Sequence, residues 1–222
     1  MSSRIFMDSP FLGITKNLVC VPFILGAPGE KTGDLYLVES GLSFVLLNSE
    51  GMYLGTHFRP ALDDLKKAIE TSISKNKELL DKAQALKKKL KKLSGGKQID
   101  WLASMAYYYL QGKAYSEAIR YYQEALKFLE SSPNESQKID IINRLLGVYI
   151  TLQESDKILE LASPLEPKGD YILMSLGMAH HIKFLKGDKN AISSAKKFFE
   201  QMLTEYPQSN LVSYVKEIQK QY

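Results

Sequence analysis

Histidine side chains often build metal sites and glycine-rich turns often build phosphate sites, and this chain contains candidates for both. His180 and His181 are adjacent on a predicted helix and point in different directions, which argues against a shared metal ion. The segment from Gly26 to Gly33 contains Lys31 and Thr32, but it lacks the Gly-Lys-Thr order and the following helix of a phosphate loop. We recognise neither a nucleophile with a base nor paired carboxylates. The sequence therefore predicts no catalysis, metal or cofactor.

A lysine-rich segment is a candidate for another kind of chemistry, the binding of polyanions. From Ala61 to Lys97 there are eleven lysines and five acids, so this stretch carries +6 in a chain of formal net charge +4. Such a surface can meet nucleic acid, an anionic membrane or an acidic protein, although arginine and aromatic residues for base recognition are missing. A solvated helix face is the simpler interpretation. The basic patch comprises Lys82, Lys87, Lys88, Lys89, Lys91 and Lys92.

Composition places the chain among globular proteins. Its 222 residues are 45% hydrophobic and 24% charged, enough to bury a core in one or two domains. The single cysteine, Cys20, excludes an internal disulfide framework and favours a reducing compartment. The apolar stretch from Ile14 to Ala27 is interrupted by Lys16 and Pro22 and is too short to span a membrane. We therefore expect a cytoplasmic protein, with a bacterial envelope location as the alternative.

Residues 1–60 predict a small β-containing element. Short apolar runs at Leu35–Val38, Leu42–Leu47 and Met52–Leu54 are separated by turns that contain Gly41 and Gly51. Three strands of this length need a covering helix or a partner. We expect the element to pack on the next segment or to lend an edge strand to another chain.

Residues 61–94 predict one long helix with a heptad pattern. Positions a and d hold mostly aliphatic residues with a few small or polar ones among them. The sequence Ser94-Gly95-Gly96 ends the pattern. Asn76 and Ser72 weaken the seam of a coiled coil, while Lys82 and Lys87 would repel each other in a parallel homodimer. Packing within the chain and coiling with an acidic or antiparallel partner both stay open. The a and d positions hold Leu62, Leu65, Ile69, Ser72, Asn76, Leu79, Ala83, Leu86, Leu90 and Leu93.

Large and small apolar residues recur at matching intervals in the second half of the chain. Small residues between large ones let two antiparallel helices approach closely, as in stacked helical repeats. A first set occupies two predicted helices joined at Gln111-Gly112-Lys113, and a later set ends at Pro207. The sets are Leu102, Met105, Ala106, Tyr109, Ala118, Tyr122 and Ala125, and then Leu176, Gly177, Ala195, Phe199 and Met202.

Residues 99–222 resemble the tetratricopeptide repeat family on these positions. The resemblance implies about three helical hairpins stacked as a solenoid, so the predicted fold class is mainly α, with the heptad helix and the β element before it. The middle copy is degenerate: Leu146 and Gly147 match, Ile158 and Ala162 approximate the second helix, and Pro164 shortens it. Trp101 lies one residue out of phase with the family tryptophan.

The third copy and the tail complete this prediction. Between Gly177 and Ala195 there are six more residues than the pattern allows, which predicts a longer first helix or a wider turn at Gly187-Asp188. The tail from Ser209 to Tyr222 predicts a capping helix. The run from Phe199 to Ser209 also looks like repeats of bacterial envelope-assembly proteins.

In this family the first helices line a groove that binds protein segments. The resemblance places Ala103 and Thr151 there, and it implies an apolar groove with one cation, suited to a partner helix or an extended segment. The alternative is that several of these side chains belong to the core. The groove positions that we single out are Tyr107, Leu110, Arg144, Val148, Tyr171, Met174, Met178 and His181.

The expected function is accordingly a scaffold or adaptor without catalytic activity, which holds a partner protein within a larger, bacterial assembly. Self-association or a mixed coiled coil through residues 61–94 is a further expectation. Binding of nucleic acid or an anionic membrane through residues 82–97 is the alternative.

Overall fold

The protein is mainly helical, with one small β-sheet. The computed structural model describes residues 43–48, 52–58, 62–90, 93, 95–131 and 134–222, which contain two strands and eight helices. The chain divides into two compact units, residues 1–118 and 119–222, which we describe separately.

The sheet of the first unit is an antiparallel pair. Strand β1 (Ser43–Leu47) pairs with β2 (Tyr53–Phe58), with Val45 opposite Thr56, and the register shifts between Leu46 and Leu47. Strand β2 runs four residues beyond the predicted end at Leu54, because Gly55 to Phe58 pair with Leu46 to Ser43 of β1. The predicted strand at Leu35–Val38 lies outside the described residues.

Helix α1 (Leu62–Leu90) is the predicted heptad helix. Asp63 and Asp64 lie in its first turn, where carboxylates suit the positive end of the helix dipole. The helix packs on β2, and Ile69 and Ser72 from the predicted seam are buried. The side chains at most other a and d positions lie outside the described part, so the coiled coil stays a prediction.

Helix α2 (Gly96–Gln111) begins directly after Gly95. Gly95 has a φ of 60°, a left-handed conformation that glycine adopts readily, and the chain turns there. Its apolar face is buried, including Leu102, Met105, Ala106 and Tyr109. Trp101 is also buried, so the out-of-phase tryptophan packs inside the protein. The sheet is joined to the end of this helix by the Tyr53 amide, which donates to the Gly112 carbonyl at 2.6 Å.

The second unit contains most of α3 and the five helices after it. These helices are α3 (Tyr115–Ser131), α4 (Glu135–Thr151), α5 (Ser155–Ala162), α6 (Asp170–Leu185), α7 (Ala191–Glu205) and α8 (Val212–Gln219). Helix α6 packs on α5, α4 and α7, and α7 also contacts α8. The core between them is built from Leu173, Met174, Phe199, Met202 and Val215.

The same turn closes helices α2, α4 and α6. After α2, the Lys113 amide donates to the Leu110 carbonyl at 3.0 Å and the Ala114 amide donates to the Tyr109 carbonyl at 2.9 Å. This pair of bonds defines a Schellman motif, which needs a left-handed residue just past the helix. Lys113 and Gln153, each with φ 54°, and Gly187, with φ 101°, hold that place.

The corresponding amides after α4 and α6 make the same two bonds. Gln153 and Glu154 donate to Ile150 and Tyr149, while Gly187 and Asp188 donate to Phe184 and Lys183. The described residues therefore contain one kind of helix ending three times. Two of these endings lie at turns that the sequence predicted, Gln111-Gly112-Lys113 and Gly187-Asp188, whereas the ending at Gln153 was not predicted.

The unusual spacing of the third copy is distributed over two helices and their turn. Compared with the stretch from Ala106 to Ala118, three of the six additional residues extend α6 after Gly177 and two lengthen the turn. The sixth additional residue lies in α7, between the start of that helix and Ala195. Both alternatives that the sequence left open therefore contribute.

The middle copy is short, as predicted. Helix α5 has only eight residues and ends before Pro164, and it buries Ile158 and Ala162 completely. The order of helices and turns thus agrees with the predicted hairpins, while their stacking as a tetratricopeptide solenoid stays a prediction.

Candidate partner-binding site

The predicted groove positions of the first copy lie on α2 in the first unit. Tyr107 is 51% exposed, which is high for a large aromatic side chain, while Leu110 and Ala103 are half-buried. Tyr108 and Tyr109 meet edge to face beside it, with ring centroids 5.6 Å apart. Tyr107 is therefore available to a partner, whereas its two neighbours are engaged within the protein.

The second copy contributes one exposed cation from α4. Arg144 Nε donates to Asp140 Oδ2 at 2.9 Å, and this hydrogen bond raises the pKa of the guanidinium above its ordinary value. Thr151 is exposed, but its hydroxyl donates to the Gly147 carbonyl at 2.9 Å. Val148 is buried. Two of the groove positions that we single out, Arg144 and Val148, lie on α4. Of these two, Arg144 presents its side chain to solvent.

The predicted positions on α6 are mostly interior. Met174, Met178 and His181 are buried, and Tyr171 is half-buried against the same core. Every residue from Ile172 to Ala179 is buried, which is typical of a central helix surrounded on all sides. Core membership, the alternative that the sequence left open, therefore applies to these methionines, to His181 and to Val148. Whether they also bind a partner stays a prediction.

The segment that contains α8 lies against this face of α6. Tyr214 Oη is 4.0 Å from Met178 Sδ, and Tyr222 Oη is 2.8 Å from His181 Nδ1. Val215 and Ile218 belong to the same buried cluster as Met174 and Met178. The sequence predicted a capping helix from the apolar spacing of the tail, but the face on which it rests depends on tertiary packing.

Burial sets the electrostatics of the contact between α6 and the tail. It lowers the pKa of His181 and raises the pKa of Tyr222 to about 12, so both side chains are kept neutral at pH 7. Their rings meet edge to face at 5.3 Å, and Lys196 Nζ lies 5.6 Å from the centroid of the tyrosine ring. The Phe184 ring also meets that ring edge to face, with centroids 6.0 Å apart. The end of the tail is thus held by the contact between Tyr222 and His181 within an aromatic cluster.

A polar connection holds the beginning of this tail. Ser209 Oγ donates to Asp170 Oδ2 at 2.7 Å and accepts from the Leu211 amide at 3.1 Å. Tyr206 Oη donates to the Lys168 carbonyl at 2.9 Å. These contacts fasten the loop after α7 to the start of α6.

The structure describes two side chains of the basic patch. Lys82 and Lys88 are both exposed, and Lys82 Nζ donates to Glu78 Oε1 at 2.6 Å, which lowers the pKa of Glu78. Lys91 and Lys92 lie outside the described residues, as do the side chains of Lys87 and Lys89.

The first unit also contains a pocket among its described residues. His57, Asp64 and Lys67 lie around an open pocket of about 340 Å³ between β2 and α1. Within the described ranges, no three His, Cys, Asp or Glu side chains are placed to hold a metal ion. Within the same ranges, no helix has the length and hydrophobicity needed to cross a bilayer.

No protein-family model matches the chain, and no curated protein or solved structure matches it either.

Proposed function

We propose that this protein is a non-catalytic scaffold or adaptor that binds another protein through the first helices of three tetratricopeptide-like hairpins. The observation that carries the proposal is the threefold recurrence of one turn, with left-handed residues at Lys113, Gln153 and Gly187. Repeated helical hairpins create extended surfaces, and such surfaces commonly bind protein segments.

Close helix packing gives independent support to the repeat. A Cβ atom built on Gly177 would overlap the ring of Phe199, and one built on Gly147 would lie 3.0 Å from Tyr171 Oη. Two helix pairs of the second unit are therefore in contact at a glycine of the repeat pattern. This is the packing of small against large residues on which the resemblance depends.

Exposed first-helix residues are the best candidates for direct partner contacts. Tyr107 offers a large amphipathic ring, and Arg144 offers a planar cation whose carboxylate partner is itself exposed. Tyrosine and arginine are enriched among the residues that dominate protein interfaces. The buried Val148 instead supports the helix that carries Arg144.

The test is quantitative capture of partners from the native source, followed by binding measurements with the purified partner. We expect Tyr107→Ala and Arg144→Ala each to weaken binding about tenfold or more, as for hot-spot residues. Ile73→Ala and Arg120→Ala are matched controls, because Ile73 is exposed on α1, outside the repeats, and Arg120 forms an i, i+4 ion pair on α3. Binding that ignores the first pair, or depends equally on the controls, would contradict the proposed site.

Electrostatic binding of polyanions is a second candidate, supported by the exposure of Lys82 and Lys88. Replacing Lys87, Lys88, Lys89, Lys91 and Lys92 with Gln should reduce both the affinity for duplex DNA or anionic vesicles and its dependence on salt. Unchanged salt-sensitive binding by this variant would rule out the basic patch. Replacing Lys138, Lys157, Lys189, Lys216 and Lys220 with Gln in the second unit makes a control of equal charge change.

A further inference from the structure

One face of α6 already holds a helical ligand, which is the tail of the same chain. Tyr171, Met174, Met178 and His181 follow one another at helical spacing along this face. Tyr214 lies near Met178 and Tyr222 contacts His181, while Val215 and Ile218 belong to the same buried cluster as Met174 and Met178. Gly147 of α4 lies against Tyr171 at the beginning of this face. The α6 part of the surface that the repeat pattern assigns to a partner is therefore covered from within the chain.

The covering segment has the form of an amphipathic peptide. Val215 and Ile218 are buried, whereas Ser213, Lys216, Glu217 and Lys220 on the other side are exposed. Its apolar and aromatic residues recur at intervals of one, four and eight from Tyr214. An amphipathic helix in an apolar groove is a common mode of protein recognition, anchored by residues at this type of spacing.

Helix α8 is also a short element, and among the helices it contacts mainly α7. It has eight residues, and no side chain caps its beginning with a hydrogen bond. A helix of this length is not stable by itself and depends on packing of its apolar face. The α6–α7 pair, in contrast, is joined along two long helices with Phe199 against Gly177. Elements with few contacts can open locally while the rest of a fold stays intact.

We propose that α8 is an exchangeable occupant of the partner site, and that the partner replaces it with an amphipathic helix of the same apolar spacing. This inference rests on the proposed function and specifies its ligand. The incoming helix places aliphatic side chains over Met174 and Met178 and a hydroxyl group or another hydrogen-bonding group at His181. The incoming helix also places an aromatic ring beside that group. This ring faces Lys196, which lies over the ring of Tyr222 when the tail is bound.

A labelled synthetic peptide of residues 210–222 is the probe, and fluorescence anisotropy with the full chain is the measurement. The double variant Tyr214→Ala/Tyr222→Ala weakens the internal contacts but retains Val215 and Ile218. We expect it to bind the peptide at least tenfold more tightly than the wild type, because its own tail occupies the face less. The same peptide with V215D and I218D should not bind, because these residues supply its buried apolar contacts. Equal affinity of both proteins, or equal binding of both peptides, would overturn the proposal.

Hydrogen exchange of the wild-type chain supplies a readout that does not depend on a variant. The amides of α8 should exchange at least about 100-fold faster than those in the middle of α6 and α7. Exchange of all three helices at one common rate would show that α8 opens only on global unfolding, and that result rejects an exchangeable tail. Loss of the cooperative fold in the double variant would reject it as well.

The outcomes separate this inference from the proposed function. If capture depends on Tyr107 and Arg144 but the peptide never binds, the adaptor function stands and only the exchange of α8 is wrong. If the peptide binds but no captured protein depends on those two residues, the exchange is real and the adaptor site is wrong.

Discussion

Gly177 is a residue at which α6 and α7 are in close contact. The ring of Phe199 occupies the space that a Cβ atom would need, so any larger residue at position 177 must displace the ring or the α7 backbone. Cores are densely packed, and additional atoms in them cost stability.

We expect Gly177→Ala to lower the free energy of unfolding by about 1–2 kcal/mol, because overpacking exceeds the gain in helix propensity. Gly96→Ala is the control, since a Cβ atom at Gly96 has no neighbour within 4 Å. Urea denaturation measures both. Phe199→Leu should restore part of the loss in a double variant, and strictly additive effects would show that the two sites do not interact.

Burial of His181 and His180 predicts that the stability of the second unit depends on pH. Burial lowers the pKa of His181, and burial together with Lys183 lowers that of the half-buried His180. From outside its own helix, His181 is contacted by the titratable Tyr222, and Lys196 lies over the ring of that tyrosine. The folded chain thus binds fewer protons than the unfolded chain below the ordinary histidine pKa of about 6.5.

The free energy of unfolding should therefore fall as pH decreases from 7.5 to 5.5, by at most about 1.4 kcal/mol per pH unit for each histidine. The variant His180→Gln/His181→Gln should show a much smaller slope in urea denaturation. His57→Gln, in the other unit, should retain the wild-type slope. A double variant with the full slope would assign the effect to other groups.

The repeated turns are the element on which the structural repeat depends most directly. Two of them place a residue with a side chain at φ 54°, where L-residues are strained by about 1–2 kcal/mol, and the third uses glycine. The same hydrogen bonds form in each case, so all three positions should respond to substitution according to the same rule.

We expect Gln153→Gly to raise the free energy of unfolding by about 0.5–1 kcal/mol, because glycine removes left-handed strain although it also adds entropy to the unfolded chain. Gly187→Ala should lower it by about 1 kcal/mol. Thermal or urea denaturation checks both changes. A stabilising effect of alanine at position 187 would show that this turn does not hold the left-handed conformation.

The Ser209 hydroxyl is one of the groups that hold the loop between α7 and α8. Ser209 joins Asp170 at the start of α6 to the backbone at the start of α8. We expect Ser209→Ala to lower the free energy of unfolding by about 1–2 kcal/mol, as two hydrogen bonds are lost. The exposed Ser213→Ala is the control. If hydrogen exchange of α8 is not faster in Ser209→Ala, then the serine does not restrain the tail.

For the whole molecule, the charges beside the predicted heptad seam would oppose a parallel dimer. Lys82 occupies a g position and Lys87 the following e position, so a parallel dimer would bring like charges together. The exposed Lys88 lies at position f on the outer face of the same helix. The same change of charge at positions 82 and 88 therefore separates an effect of the seam from an effect of net charge.

We expect the wild-type chain to have a solution mass near 25.1 kDa at low salt, and Lys82→Glu to shift it toward the dimer. Lys88→Glu should remain monomeric. Sedimentation equilibrium distinguishes these states. A wild-type dimer at low salt would mean that the seam outweighs the repulsion or that the chain associates elsewhere.

Local patterns were sufficient to predict much of this protein. The heptad period predicted α1, and the spacing of Ala118, Tyr122 and Ala125 predicted one completely buried face of α3. Gly187 and Pro164 marked a turn and the end of a short helix. These features follow from residues close in sequence, because helix periodicity and turn conformation are local properties of the backbone.

Tertiary structure alone decided which apolar positions are surface and which are core. Tyr107 and Met178 occupy equivalent places in the repeat pattern, yet one is 51% exposed and the other 8% exposed. The difference arises because the tail packs on α6, bringing Tyr222 to His181 across 41 residues. Such a contact depends on the global path of the chain and not on any local period. The sequence by itself therefore determined the helices and their turns, while three-dimensional packing determined which of their faces is free to bind.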